Sequence, residues 1–163
     1  MYSIADIFLY TAEQERAHAG RFYDLLKEFT GSTIQIDGSY PVDQQDTMEE
    51  LLRAAEHNER EEFEDVYPSF GNMAKEEGFL EAASAFFQIA EIEHTHQERF
   101  GEIAKMLEDG TYYMRGEQGR WICTNCGYIH DGKQAPSVCP VCRHEKGYFL
   151  PYEYAPYKGA ENR

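Results

Sequence analysis

The feature that most constrains this chain is a pair of polar residues where a helix should be apolar. Ala82, Phe86, Ile89, Glu93, His96, Phe100, Ile103 and Leu107 recur at alternating three- and four-residue steps, the spacing of a helix seam packed in a bundle. Glu93 and His96 therefore occupy positions that normally hold Leu or Ile. An unpartnered carboxylate in such a seam costs several kcal/mol or takes up a proton, so something in the core must compensate it, and a metal ion is the economical candidate.

The same break recurs upstream. Ile4, Phe8, Thr11, Glu15, His18, Phe22, Leu25 and Phe29 form a stripe that predicts a first helix over residues 4–29, with Ser3 as its N-cap. Glu15 and His18 repeat the Glu-x-x-His spacing, which puts a carboxylate and an imidazole on one face. Residues 30–45 carry Gly31, Gly38 and Pro41 and read as a crossover loop. The second helix opens at the capping box Thr47-Met48-Glu49-Glu50. Its stripe is Met48, Leu52, Ala55, Glu59, Glu62 and Val66, continuing to Phe70 and Met73 after a disturbance at Pro68. Glu56, Glu61 and Glu64 read as a solvated face, and His57 and His94 as exposed. Gly78 ends this helix, and the third runs from Phe79 to about Asp109.

Three seam breaks near the middles of three helices come to one level if the helices pack antiparallel. Glu-x-x-His on two helices with further glutamates is the donor pattern of a dinuclear carboxylate site in a four-helix bundle. Oxygen and imidazole donors without thiolate suit iron or manganese, and zinc can occupy such a site. All four cysteines lie downstream, as Cys123-x-x-Cys126 and Cys139-x-x-Cys142. Two such knuckles a dozen residues apart predict a tetrahedral four-thiolate site holding iron or zinc. The surrounding segment is too small for a core of its own, so the metal must supply much of its folding energy. Trp121, Tyr128, Tyr148 and Phe149 are expected around it, His130 and His144 at its surface, and the tail from Pro151 as an extended strap. The resulting division is 1–110 for the bundle, 111–120 for a linker and 121–163 for the cysteine domain and tail.

A formal net charge of -15 argues against a nucleic-acid partner. No apolar run of about 18 residues is present, and no basic segment leads into a short apolar core. The expectation is a cytoplasmic protein with neither membrane span nor signal peptide.

The chain resembles the rubrerythrin family: a mainly α, ferritin-like di-iron bundle followed by a small rubredoxin-like domain. The resemblance rests on Thr11-Ala12-Glu13-Gln14-Glu15-Arg16-Ala17-His18-Ala19, on Glu59-Arg60-Glu61-Glu62 leading to Val66-Tyr67-Pro68-Ser69-Phe70, on Ala90-Glu91-Ile92-Glu93-His94-Thr95-His96, and on the two knuckles with Gly127-Tyr128 and Cys139-Pro140. It implies that Glu15 and Glu93 bridge two irons and that Glu59 and His96 are terminal ligands of one. The other iron would alternate between Glu62 and His18 with oxidation state. Tyr67 would place a hydroxyl beside them, and Cys123, Cys126, Cys139 and Cys142 would hold a single iron. The family pattern has one more helix at its start, with a further glutamate; this sequence begins at what resembles the second helix. Either the chain starts late or is trimmed, or its fourth helix is supplied in trans or absent.

The resemblance implies a peroxidase that reduces hydrogen peroxide to water, with electrons passed through the four-cysteine iron. The chain has no Gly-rich dinucleotide fingerprint, so an external NAD(P)H-dependent donor or a rubredoxin would supply them, and electron transfer would run between subunits of a homo-oligomer. The alternative is a ferritin-like iron-oxidising protein, or an oxidative-stress sensor, with a structural zinc ribbon. A plain structural bundle is the third reading.

Overall fold

The computed structural model describes residues 1–156, with the backbone alone at 117 and 118. Its helices are α1 (Tyr2–Asp24), α2 (Met48–Glu61), α3 (Tyr67–Glu76) and α4 (Leu80–Glu108); its strands are β1 (Met114–Cys123), β2 (Ile129–Gln134) and β3 (Phe149–Pro151). Two compact units emerge: Gln14–Ala104, and Met1–Glu13 together with the chain from Lys105.

The Gln14–Ala104 unit is helical. The expected capping box is present, with the Glu50 amide donating to Thr47 Oγ1 and the Thr47 amide donating to the Glu50 carboxylate. The stripe on α4 is buried through Ile89, Glu93, His96, Phe100 and Ile103. α1 stops five residues short of the expected end, at Asp24, and Phe29, 45% exposed, closes a 3-10 turn.

The second helix departs from expectation in an informative way. Between α2 and α3, residues Glu62–Val66 form a π-helical segment, and the Tyr67 amide donates to the Glu62 carbonyl five residues back. Pro68 has no amide to donate and its ring crowds the preceding turn, so the wider turn relieves the ladder there. The extra residue rotates everything downstream by one position. Val66, Phe70 and Met73, expected in the stripe, are exposed, whereas Tyr67 is half-buried and Gly71 buried. A Cβ on Gly71 would stand 2.7 Å from the Phe87 ring, so that helix face approaches closely because it carries no side chain. Glu56 is also corrected: rather than solvated, it is gripped by Arg53 at 2.7 Å and Arg60 at 2.8 Å. His94 stacks on Phe63 instead of standing free.

The other unit is built on an antiparallel sheet of order β2-β1-β3, with Trp121 opposite both His130 and Pro151. Residues 114–120, expected as linker, are the first part of β1. Trp121, Cys123, Ala135, Cys139 and Phe149 make its core. Trp121 Nε1 donates to the Tyr112 carbonyl, and the Tyr112 hydroxyl meets Ser3 Oγ at 3.0 Å. Ser3 is thus a buried partner of Tyr112 inside α1 and not an N-cap. Ile4 and Ile7 are fully buried, and Tyr2 stacks on Tyr148 at 4.3 Å, which is why the first thirteen residues group with the sheet. The described part of the expected strap is a 3-10 turn at Tyr152–Tyr154 with Tyr152 buried; its remainder, 157–163, lies outside the described residues.

Candidate metal centres

α1 delivers Glu15 and His18, α2 delivers Glu59, and α4 delivers Glu93 and His96. Ligand-type atoms of Glu15, Glu59, Glu93 and His96 lie within 4.8 Å of one another, and Glu93 and His96 are fully buried. The pairing of atoms is more telling than the cluster. Glu15 sets Oε2 at 3.1 Å from His18 Nδ1 and Oε1 at 3.0 Å from His96 Nδ1. Glu93 does the same, with Oε1 at 3.0 Å from His18 Nδ1 and Oε2 at 2.9 Å from His96 Nδ1. Each of these two carboxylates therefore offers one oxygen to each imidazole. Glu59 Oε2 adds a third carboxylate on the His96 side, at 3.3 Å.

Hydrogen bonding does not account for this crowding. An imidazole nitrogen carries at most one proton, yet His96 Nδ1 faces three carboxylates and His18 Nδ1 faces two. Both oxygens of Glu93 and Oε1 of Glu15 are buried without an aligned donor. Such orphaned atoms are costly unless something positive stands between them, and two adjacent cations sharing Glu15 and Glu93 fit the arrangement.

Glu62 begins the π-helical segment and lies outside the four-residue cluster, as does His18. Burial raises the pKa of Glu62 to about 7, aided by the charges of Glu59, Glu93 and Glu15, which lie near enough to act on it. Tyr67 packs against Phe22 and Phe86, and burial together with Glu62 pushes its hydroxyl well above the ordinary range. Burial disfavours charge on His96, but bonding to Glu15, Glu59 and Glu93 outweighs it and pushes its pKa up to about 11. Burial likewise raises Glu59, while bonds from His96 and His18 outweigh burial at Glu15 and lower it.

These shifts fix the sign of a pH dependence. Glu62 and His96 bind protons more tightly folded than unfolded, so without metal their contribution is lost as pH rises from 4.5 towards 7 and from 6.5 towards 11 respectively. Glu59 acts in the same direction as Glu62, whereas the lowered Glu15 matters only below its ordinary range. Metal competes with those protons, so loading reverses the trend. Thermal melts of chelated and iron-loaded protein between about pH 5 and pH 9 should show a Tm gap that widens with pH. A gap independent of pH would contradict the assignment.

At the second site the four cysteine sulfurs converge, with Cys123 Sγ 3.6 Å from Cys142 Sγ and Cys126 Sγ 3.7 Å from Cys139 Sγ. That is far beyond a disulfide and close to the edge, about 3.8 Å, of a tetrahedron around a metal bonded at about 2.3 Å. Each knuckle turns back through a left-handed residue after its second cysteine. Gly127 (φ 77°) and Arg143 (φ 66°) donate their amides to the Cys123 and Cys139 carbonyls. His144, expected only as a surface residue, contributes its backbone amide, which lowers the Cys142 thiol to about 6. Cys123 and Cys139 are buried, whereas Cys126 is exposed.

Residues 1–104 match the sequence profile of rubrerythrin, and residues 121–150 match that of the rubrerythrin rubredoxin-like domain. The chain belongs to the rubrerythrin family. It is 43% identical over 148 residues to the rubrerythrin of Porphyromonas gingivalis, covering 91% of this chain and 72% of that one. Against the rubrerythrin of Clostridium perfringens it is 45% identical over 148 residues, covering 90% and 75%. Among solved structures it is similar to nigerythrin in a fully reduced, all-ferrous state, at a TM-score of 0.56 and 28% identity over 92% of this chain and 70% of that one. Like other rubrerythrins, the chain combines a ferritin-like helical part, whose carboxylate and imidazole cluster fits two irons, with a rubredoxin-like part whose four cysteines form a metal site. No described helix is long and apolar enough to cross a membrane.

Proposed function

We propose that this protein is an oxidoreductase that reduces hydrogen peroxide to water. The observation that carries the reading is the double presentation of Glu15 and Glu93, each with one oxygen towards His96 and the other towards His18. Glu15, His18, Glu59, Glu62, Glu93 and His96 would hold two irons. Such a pair supplies both electrons needed to split the O–O bond of peroxide, which with two protons gives two waters.

The chain's own residues do the rest. Three carboxylates offset the metal charge in a site closed to solvent at Glu93 and His96. Glu62 and His18 belong to different helical segments, so a switch between them as ligands would alter the charge at one metal position while Glu15 and Glu93 stay in place. Tyr67 keeps its proton throughout the working pH range and stands against Phe22 and Phe86 as a hydrogen-bond donor beside two apolar rings. Cys123, Cys126, Cys139 and Cys142 would hold a single iron, and the exposed Cys126 offers an external NAD(P)H-dependent donor or rubredoxin its point of entry. Electrons then pass to the paired site between subunits of a cytoplasmic homo-oligomer.

Rapid mixing of anaerobically reduced, iron-loaded protein with hydrogen peroxide tests the reading. Both chromophores should oxidise within the first turnover and peroxide should disappear in proportion to electrons supplied. Oxidation no faster than that of free ferrous iron would overturn it. Zinc in the cysteine site of the native protein would instead favour the iron-oxidising or sensor role, since zinc passes no electrons.

A further inference from the structure

One contact at the paired site is absent from the ligand pattern. Gln14 on α1 places Oε1 3.2 Å from His96 Nε2 on α4, on the side of the ring away from the carboxylates. His96 Nδ1 is turned to Glu15, Glu59 and Glu93. A neutral imidazole has one nitrogen with a proton and one with a lone pair, and the hydrogen bond made by one decides the task of the other. An amide oxygen only accepts, so opposite Gln14 the Nε2 atom must carry a proton, and once metal displaces the other proton Nδ1 is the nitrogen left free.

We propose that Gln14 is a positioning residue: its amide oxygen fixes the His96 tautomer and ring orientation so that Nδ1 is presented to the metal pair. Its neighbour Glu15 sets Oε1 3.0 Å from the other nitrogen of the same imidazole, so two consecutive residues of α1 face the ring at both nitrogens, Gln14 as the hydrogen-bond acceptor of Nε2 and Glu15 beside the nitrogen left for metal. A metal-bound histidine commonly leans on a carboxylate or a backbone carbonyl. Here the acceptor is a neutral side-chain amide, which orients the ring while adding less electron density than a carboxylate would. Gln14 therefore also limits how strongly His96 favours the more oxidised metal.

The proposal rests on His96 binding metal through Nδ1, part of the function proposed above, and the test separates the two. The full-length protein is loaded with zinc as a diamagnetic probe, and His96 is followed by two-bond proton–nitrogen NMR together with zinc affinity. In the unsubstituted protein Nδ1 should be metal-bound and Nε2 should carry a slowly exchanging proton; zinc on Nε2, or on neither nitrogen, would overturn the ligand reading itself. With that established, Gln14→Leu should speed exchange of the Nε2 proton at least about tenfold and weaken zinc binding at the helical site about 10- to 100-fold. Its helix content and cysteine site should be unchanged. Gln14→Glu keeps an acceptor in place and guards against a folding defect in the leucine variant. It should retain the protected Nε2 proton, move its resonance downfield and make the iron-loaded protein harder to reduce. If Gln14→Glu leaves the Nε2 resonance unmoved, or folded Gln14→Leu leaves exchange and affinity within twofold, Gln14 does not position His96.

Discussion

Replacing Glu93 with Gln should empty the paired site while sparing the cysteine site, so iron content falls from about three to about one per chain. The change is nearly isosteric, but Glu93 is the fully buried carboxylate whose two oxygens face the two histidines. Losing its charge weakens both metal positions at once, whereas a substitution at Glu59 touches the His96 side alone. The same substitution should raise the thermal stability of the metal-free protein, because three carboxylates crowd one imidazole and neutralising one relieves their repulsion. Iron analysis and thermal melts of the chelated protein check the two halves. Lost metal together with a destabilised metal-free fold would point to a packing role for Glu93 instead.

Replacing Cys139 with Ser should unfold the rubredoxin-like part. Cys139 is fully buried and shares a core of only a few side chains with Trp121, Cys123, Ala135 and Phe149. Metal binding to four thiolates contributes on the order of 10 kcal/mol to a fold of this kind, more than such a core can replace. Trp121, the single tryptophan of the chain, is buried there and reports the loss. Its emission should shift to the red in the Cys139 variant, or on chelation, and stay unmoved in Glu93→Gln. A blue, protected emission after metal removal would mean that the unit folds without its metal.

The clustering of Glu15, Glu59, Glu93 and His96 was legible because each breaks a periodic apolar stripe, and the convergence of the four cysteines because their spacing is nearly self-sufficient. The rotation of α3 was not. One extra residue at Glu62–Val66 shifts every later position, and Pro68 marked the disturbance without revealing its size or direction. Grouping of the first turns with the sheet depended on Ser3 meeting Tyr112, a pairing 109 residues apart that no local pattern encodes. Glu56 looked like any solvated glutamate until Arg53 and Arg60 closed on it, and a Cβ on Gly101 would come within 2.7 Å of its carboxylate. Gln14 gave no signal because a helix places it beside the stripe rather than on it, and only the approach of α4 gives its amide a task.

The most direct test of the account is anomalous diffraction at the iron edge from crystals of the iron-loaded full-length chain. Two iron peaks should lie in the helical part, one nearest Glu59 and His96 and the other nearest His18, each bonded to one oxygen of Glu15 and one of Glu93. A third should sit among the four cysteines. A single helical peak, or two that do not share Glu15 and Glu93, would contradict it.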